Sequence, residues 1–248
     1  DASKAENLKS VVMIQCVGSR DDEHPYCSRV CCTHAVKNAL KIREKNPDAS
    51  IYVLYRDMRT YGFFEKYYQK ARDEGIIFVR YDVSAKPEVA SQGDGLNVTI
   101  YDPIVREDIT INADLLVLSA GVEPNDVKGL AEISALSLNE DGFYKEANPK
   151  AAPLDAQDRG KFFAGLAHSP MLIEEAVIQG KAAAARAAVL LWNTSEKLPE
   201  TQAYVNELVC TGCGQCVQVC PFNAISLNPD SGIAVVDESL CRGCGTCA

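Results

Sequence analysis

The sequence predicts an α/β fold followed by a small α+β domain, and three observations lead there. Short apolar runs alternate with stretches of helical apolar spacing, the pattern of a parallel sheet with crossover helices. The eleven cysteines fall into two groups with none between Cys32 and Cys210. The second group is interleaved with glycines and with two short β-branched runs, as in a small loop-rich module. At 248 residues the chain can form one large domain and a small one.

The elements follow in order. Ser10–Gln15 is a short apolar run, read as a buried parallel strand. From about Val30 to Lys45, Val30, Ala35, Val36, Ala39, Leu40 and Ile42 recur at helical spacing, and Asn46-Pro47 ends the helix. Ser50–Tyr55 is a second strand, which makes the unit β-loop-α-β. Tyr61–Glu74 reads as a helix and Ile76–Tyr81 as a strand, and Leu96–Tyr101 begins a hairpin ending near Ile111. Asp114–Ser119 reads as a buried strand running into Ala120-Gly-Val-Glu-Pro-Asn125, where the glycine allows a tight crossover; an ordinary strand and turn is the competing reading. Lys161–His168 leads into a helix from about Leu172 to Leu191, with Ala182–Ala185 giving it a thin face. Trp192–Glu200 has linker composition. Ala224–Leu227 and Ile233–Val236 flank Asn228-Pro-Asp-Ser-Gly as a hairpin. The expected domains are 1–125, 126–192, a linker at 193–203, and 204–248.

Composition excludes some functions. The net charge of −9 argues against a nucleic-acid partner, which needs a basic face to neutralise phosphates. No unbroken run of about 18 apolar residues predicts a membrane span. No signal-peptide opening is visible either, so the expected location is the cytoplasm. The polar opening, and a last residue that falls inside a motif, suggest a piece of a longer polypeptide.

The cysteines carry the chemistry. Clustered cysteines suit ligation, whereas a disulfide scaffold would spread them along the chain. Cys210-Thr-Gly-Cys213-Gly-Gln-Cys216-Val-Gln-Val-Cys220-Pro221 has the bacterial ferredoxin spacing C-x2-C-x2-C-x3-C-P. Cys241-Arg-Gly-Cys244-Gly-Thr-Cys247 begins a second run. In such modules the fourth cysteine of one run ligates the other cluster. One [4Fe–4S] cluster would therefore use Cys220, Cys241, Cys244 and Cys247. The other would use Cys210, Cys213 and Cys216, with its fourth ligand expected just past Ala248. A four-cysteine zinc site is the alternative, but zinc modules use cysteine pairs rather than triplets followed by C-P.

Cys16, Cys27, Cys31 and Cys32 form C-x10-C-x3-C-C, which is neither a zinc nor a ferredoxin spacing. A nucleotide-binding loop after the first strand would read G-x-G-x-x-G. Here one glycine remains, Gly18, and Asp21, Asp22 and Glu23 would repel phosphate. Thiolates at a helix N-terminus suit an anionic cluster instead, because the free N–H groups and the dipole favour negative charge. Buried structural cysteines are the competing reading. His24 and His34 are the other ligand types nearby, and neither is expected to ligate.

Taken together, the chain resembles the A subunit of heterodisulfide reductase and its relatives. The residues that carry the likeness are Cys16-Val-Gly-Ser-Arg20, Tyr26-Cys-Ser-Arg-Val-Cys-Cys32, Ser119-Ala-Gly-Val-Glu-Pro124, Phe163-Ala-Gly165, Glu175–Gly180 and the ferredoxin run. The resemblance implies a thioredoxin-reductase-like, two-dinucleotide-binding flavoprotein core, incomplete at its N-terminus, plus a truncated bacterial-type two-cluster ferredoxin domain. Residues 1–125 would be a Rossmann-like domain carrying a cluster in place of the NADPH phosphate loop. Residues 126–192 would be the C-terminal part of the FAD domain.

The resemblance also implies FAD in the full-length parent and up to three [4Fe–4S] clusters in this chain. Gly165, Glu175 and Gln179 would touch only the flavin end, and Leu166 stands where such flavoproteins carry an aspartate. The implied function is an electron-transfer subunit of an oligomeric complex, relaying electrons between flavin and clusters to other redox subunits and ferredoxin. Two alternatives stay open. One is an NAD(P)H-dependent flavin oxidoreductase, with Arg56 and Arg59 placed where a 2′-phosphate could sit. The other is a non-enzymatic module that docks a ferredoxin. No Ser/His/Asp triad, H-E-x-x-H motif or P-loop offers a seat for bond-making catalysis.

Overall fold

The computed structural model describes residues 7–93, 95–192 and 201–248. The chain divides into two compact units. The first comprises Asp1–Gly129, Leu138–Tyr144 and Gly165–Ile178; the second comprises Leu130–Ser137, Lys145–Ala164 and Gln179–Ala248. Most of the linker expected at 193–203 lies outside the described residues.

The first unit opens with β1 (Ser10–Val17), α1 (Cys31–Lys45), β2 (Ser50–Tyr55), α2 (Glu65–Asp73) and β3 (Ile77–Arg80). A meander of β4 (Glu88–Gln92), β5 (Gly95–Asp102) and β6 (Glu107–Ala113) follows, and the chain then returns as β7 (Leu115–Ala120). The strands β3-β2-β1-β7 form a parallel sheet, and β4-β5-β6 an antiparallel one.

Side chains alternate across a strand, so β1 serves two cores at once. Val11 and Met13 join Ala35, Val36 and Ala39 of α1 and Ile51 and Val53 of β2. Val12 and Ile14 face the other way, with Leu54, Val79, Val98, Ile100 and Ile111. Val11, Val12, Ile51, Val53 and Val98 are fully buried, each burial stabilising the fold by ~1.5–3 kcal/mol. A strand apolar on both faces is what a sheet covered on both sides requires.

Several elements differ from expectation. β7 lies at an edge of the parallel sheet, and Leu115 and Leu118 are exposed rather than buried. β4 escaped the sequence reading because Glu-Val-Ala-Ser-Gln has no apolar face; its partner β5 makes it a strand.

A shorter helix, α3 (Lys128–Ile133), comes next in the chain. The helix α4 (Ile173–Trp192) begins in the first unit, and its residues from Gln179 belong to the second. Among its described residues none is buried, so the thin alanine face finds no sheet among the described residues. The second unit ends in α5 (Gln215–Val219) and the antiparallel pair β8 (Ile225–Leu227) and β9 (Ala234–Val236). Asn228 Oδ1 accepts from the N–H groups of Asp230 and Ser231, an Asx turn that closes this hairpin. No described helix is long and apolar enough to cross a membrane.

Candidate functional site

The four front cysteines, separated by up to sixteen positions, line one small cavity with Ser19, Arg20, Arg29, Asp57 and Arg59. Topology explains the convergence. Cys16 lies near the end of β1, Cys31 and Cys32 open α1, and Asp57 and Arg59 follow β2. Doubly wound sheets bind ligands at the carboxyl ends of their strands. The register of β1 on β7 shifts between Ile14 and Val17, a bulge that re-aims the residues around Cys16.

Backbone strain concentrates in the same loop. Cys16, Arg20 and Arg29 all have φ near +60°, at 61°, 60° and 61°. Such conformations persist only where surrounding contacts hold them. Three contacts do so. Ser28 Oγ, fully buried, accepts from the Val122 N–H at 2.9 Å, and the Tyr26 hydroxyl donates to the Val122 carbonyl at 2.9 Å. The Tyr81 hydroxyl donates to the Gln15 carbonyl at 2.6 Å, fixing the end of β1 just before Cys16.

Gly121, within the Ala-Gly-Val-Glu-Pro turn, meets the cysteine loop directly. A Cβ there would lie 2.1 Å from the Gly18 carbonyl oxygen. Its glycine therefore lets two backbones touch, and it serves the cysteine loop. We expect Gly121→Ala to destabilise the first unit by about 1–3 kcal/mol, the usual range for forced overpacking. Denaturant unfolding of the wild type and variant measures this, and equal midpoints would refute the close approach.

The cavity suits an anionic cluster. α1 has no side-chain N-cap, so its first-turn N–H groups and its dipole are available at Cys31 and Cys32. The Arg29 N–H donates to Cys27 Sγ at 3.3 Å, and the Cys32 thiol donates to the Asp57 carbonyl at 3.7 Å. Gln15 is fully buried with neither amide atom partnered, an unmet polar demand beside Cys16 in the chain. Burial raises the Cys16 thiol above its usual range, opposed by the charges of Arg20 and Arg56. Burial also pushes Cys31 up to about 11, with Cys32, Cys27 and Cys16 adding to the shift.

Neither His24 nor His34 lines this cavity. His24 faces Asp21 and Glu123 at 3.9 and 3.7 Å. The two arginines of the nucleotide alternative are also engaged. Arg56 donates to the Arg20 carbonyl at 2.5 Å, and Arg59 lies 3.9 Å from Asp57.

In the second unit, Cys220, Cys241, Cys244 and Cys247 line a single cavity, although Cys220 is 21 positions before Cys241. Backbone amides point at the sulfurs. Ala224 N–H donates to Cys220 Sγ at 3.3 Å, Ala203 N–H to Cys241 at 3.4 Å, and Ala234 N–H to Cys210 at 3.5 Å. N–H···S bonds of this kind stabilise charge on a ligated cluster. The glycines between the cysteines are sterically required. A Cβ on Gly243 would fall 2.2 Å from the Thr201 carbonyl oxygen, and one on Gly212 would fall 2.6 Å from that of Gly232. Cys213 and Cys244 are exposed, and both are shifted below the usual thiol range. The Gln215 N–H acts first at Cys213, and the Thr246 hydroxyl first at Cys244. A single zinc ion holds its sulfurs at ~2.3 Å. Among the described residues, no three Cys, His, Asp or Glu side chains are set to hold one metal ion.

The flavin-end residues occupy different roles. Gly165 is buried at φ +67°, and a Cβ there would sit 3.6 Å from Ala176 Cβ. Glu175 is engaged by both oxygens. Oε2 accepts from the Leu172 N–H at 2.9 Å, the return half of a capping box at the start of α4. Oε1 pairs with Arg29 at 2.6 Å, which ties the helix start to the cysteine loop. Gln179 belongs to the second unit. Sequence reasoning also missed a cavity of about 600 Å³ in the first unit, which shares Cys27, Arg29 and Arg59 with the cysteine cavity and is walled by Tyr26, Tyr61 and Phe143. These residues suit one end of a flavin at most, and no G-x-G-x-x-G for its phosphates is in the sequence.

Residues 203–226 fit the model of a 4Fe-4S binding domain. The chain is 40% identical over 232 residues to the A subunit of the H(2)/formate:CoB-CoM heterodisulfide,ferredoxin reductase from Methanococcus maripaludis, covering 90% of this chain and 35% of that protein. It is 39% identical over 241 residues to the A subunit of the ferredoxin:CoB-CoM heterodisulfide reductase from Methanosarcina acetivorans, covering 95% of this chain and 30% of that protein. Along nearly its whole length the chain is similar to the A subunits of heterodisulfide reductase. It spans about a third of the length of these relatives.

The core of the chain has a thioredoxin-reductase-like fold. The T. acidophilum thioredoxin reductase superposes with a TM-score of 0.53 at 18% identity, covering 78% of this chain and 56% of that one. Three residues around the cysteine cavity were given no role by the sequence reading. Ser28 and Arg20 sit inside the cysteine motifs, so their position marked them. Asp57 had no such mark, because only the fold carries it to the cysteines.

Proposed function

We propose that this chain is an iron–sulfur electron-transfer segment of a heterodisulfide-reductase-type oxidoreductase, passing electrons between flavin and clusters to partner subunits. The observation that carries the reading is the pair of cavities, each lined by four cysteines drawn from distant positions. Cys16, Cys27, Cys31 and Cys32 hold a core [4Fe–4S] cluster. Cys220, Cys241, Cys244 and Cys247 hold a second, and Cys210, Cys213 and Cys216 supply three ligands to a third. When bound, such clusters supply one-electron carriers whose potentials follow burial and hydrogen bonding.

The protein's own residues do the rest. The uncapped start of α1 and the Arg29 amide stabilise charge at the core site. Ser28, Tyr26 and Gly121 lock the loop, so its cysteines need not reorganise when an electron arrives. FAD in the full-length parent, partner redox subunits, ferredoxin and a cytoplasmic setting complete the proposal. An anaerobic iron and sulfide count on reconstituted protein tests it. About three clusters' worth of iron should bind, and a colourless product would sink the reading. NADPH should give no binding heat by calorimetry, because no phosphate loop is present and Arg56 is committed to Arg20. Measurable heat would favour the nucleotide-dependent alternative.

A further inference from the structure

Arg20 is the second unusual residue of the front loop. Its φ of 60° is held while its own N–H donates to the His24 and Tyr26 carbonyls at 2.6 and 3.0 Å. On one side of the guanidinium, Nη2 pairs with Asp57 at 2.7 Å. The other nitrogen, Nη1, is buried and meets no oxygen or nitrogen acceptor, and the guanidinium interacts with the Cys16 thiol instead. Arg20 lines the cavity of the four front cysteines, and so does Asp57. A buried charged donor demands an acceptor, and folded proteins rarely leave one without. The acceptor that suits this position is an anion in the cysteine cavity.

We propose that Arg20 sets the potential of the core cluster, with Nη1 donating to a cluster sulfide or ligating thiolate while Asp57 holds the guanidinium in place. This rests on the ligand assignment proposed above. Reduction adds one electron, and so one negative charge, to the cluster, and no bond is made or broken. A charged donor aimed at the cluster stabilises that reduced form and raises the midpoint potential. Asp57 works in the opposite sense. Its carboxylate shields the guanidinium, and it lies within 3.9 Å of Arg59 and 3.6 Å of Arg80 as well. Asp57 is thus the positioning residue, a counter-charge from the loop after β2 that fixes the reach of Arg20.

An EPR-monitored redox titration of the reconstituted 248-residue chain tests this, with the C-terminal clusters as an internal reference. In Arg20→Met the core cluster should become harder to reduce by roughly tenfold, about 59 mV for a one-electron couple, with the reference signals unmoved. In Asp57→Asn the shift should have the opposite sign, because an exposed positive charge now faces the cluster. A residue that merely braced the loop would move both midpoints the same way, and that outcome overturns the proposal. So does an unchanged core midpoint in Arg20→Met at full iron content. If Arg20→Met fails to load, Asp57→Asn decides by the sign of its shift. Failure of the underlying assignment looks different: Cys31→Ser would then keep the full iron content of the wild type.

Discussion

Cys31→Ser should remove one whole cluster, about four irons, and leave the ferredoxin-module signals intact. Cys31 and Cys32 share the first turn of α1 and are held there by a helix whose Val36 and Ala39 are buried in the sheet. A serine at 31 keeps that packing but gives iron a weaker, harder ligand. Loss of the cluster should therefore come without loss of the fold. Iron counting together with circular dichroism separates the two effects. The outcome also divides electron carrier from scaffold. If Cys31→Ser and Cys32→Ser both retain all their iron, the front cysteines are structural and the first unit serves only to dock the ferredoxin module.

Cys220→Ser should abolish the same cluster as Cys241→Ser, despite the distance between them in the chain. Cys220 belongs by sequence to the run Cys210–Cys220, yet it lines the cavity of Cys241, Cys244 and Cys247. Its sulfur accepts the Ala224 N–H at 3.3 Å, one residue before β8, and this bond turns it away from its own run. The two variants should therefore show the same missing EPR signal, whereas Cys216→Ser should remove a different one. If Cys220→Ser resembles Cys216→Ser, the two runs do not cross over.

What the sequence determined by itself was local. Cysteine spacing is a local property, since three thiolates at x2 gaps can wrap one centre without help from elsewhere. The ferredoxin run and its hairpin were therefore legible from residues alone. The β-loop-α-β order was legible too, because apolar periodicity is set by which faces of each element are buried. Other features belonged to the tertiary structure. The strand order β3-β2-β1-β7 brings the turn at Gly121 against Gly18, and Asp57 from the loop after β2 against Arg20. Neither pairing has a local signal, since residues 37 or 103 positions apart meet only when the sheet forms. The same holds for Glu175, whose partner Arg29 is 146 positions away. Nor could spacing tell how exposed β7 is, because a Leu-rich run reads the same at an edge as at the centre of a sheet. The residue types named the chemistry of the front cysteines, and parallel pairing put the four sulfurs in one cavity with an arginine among them.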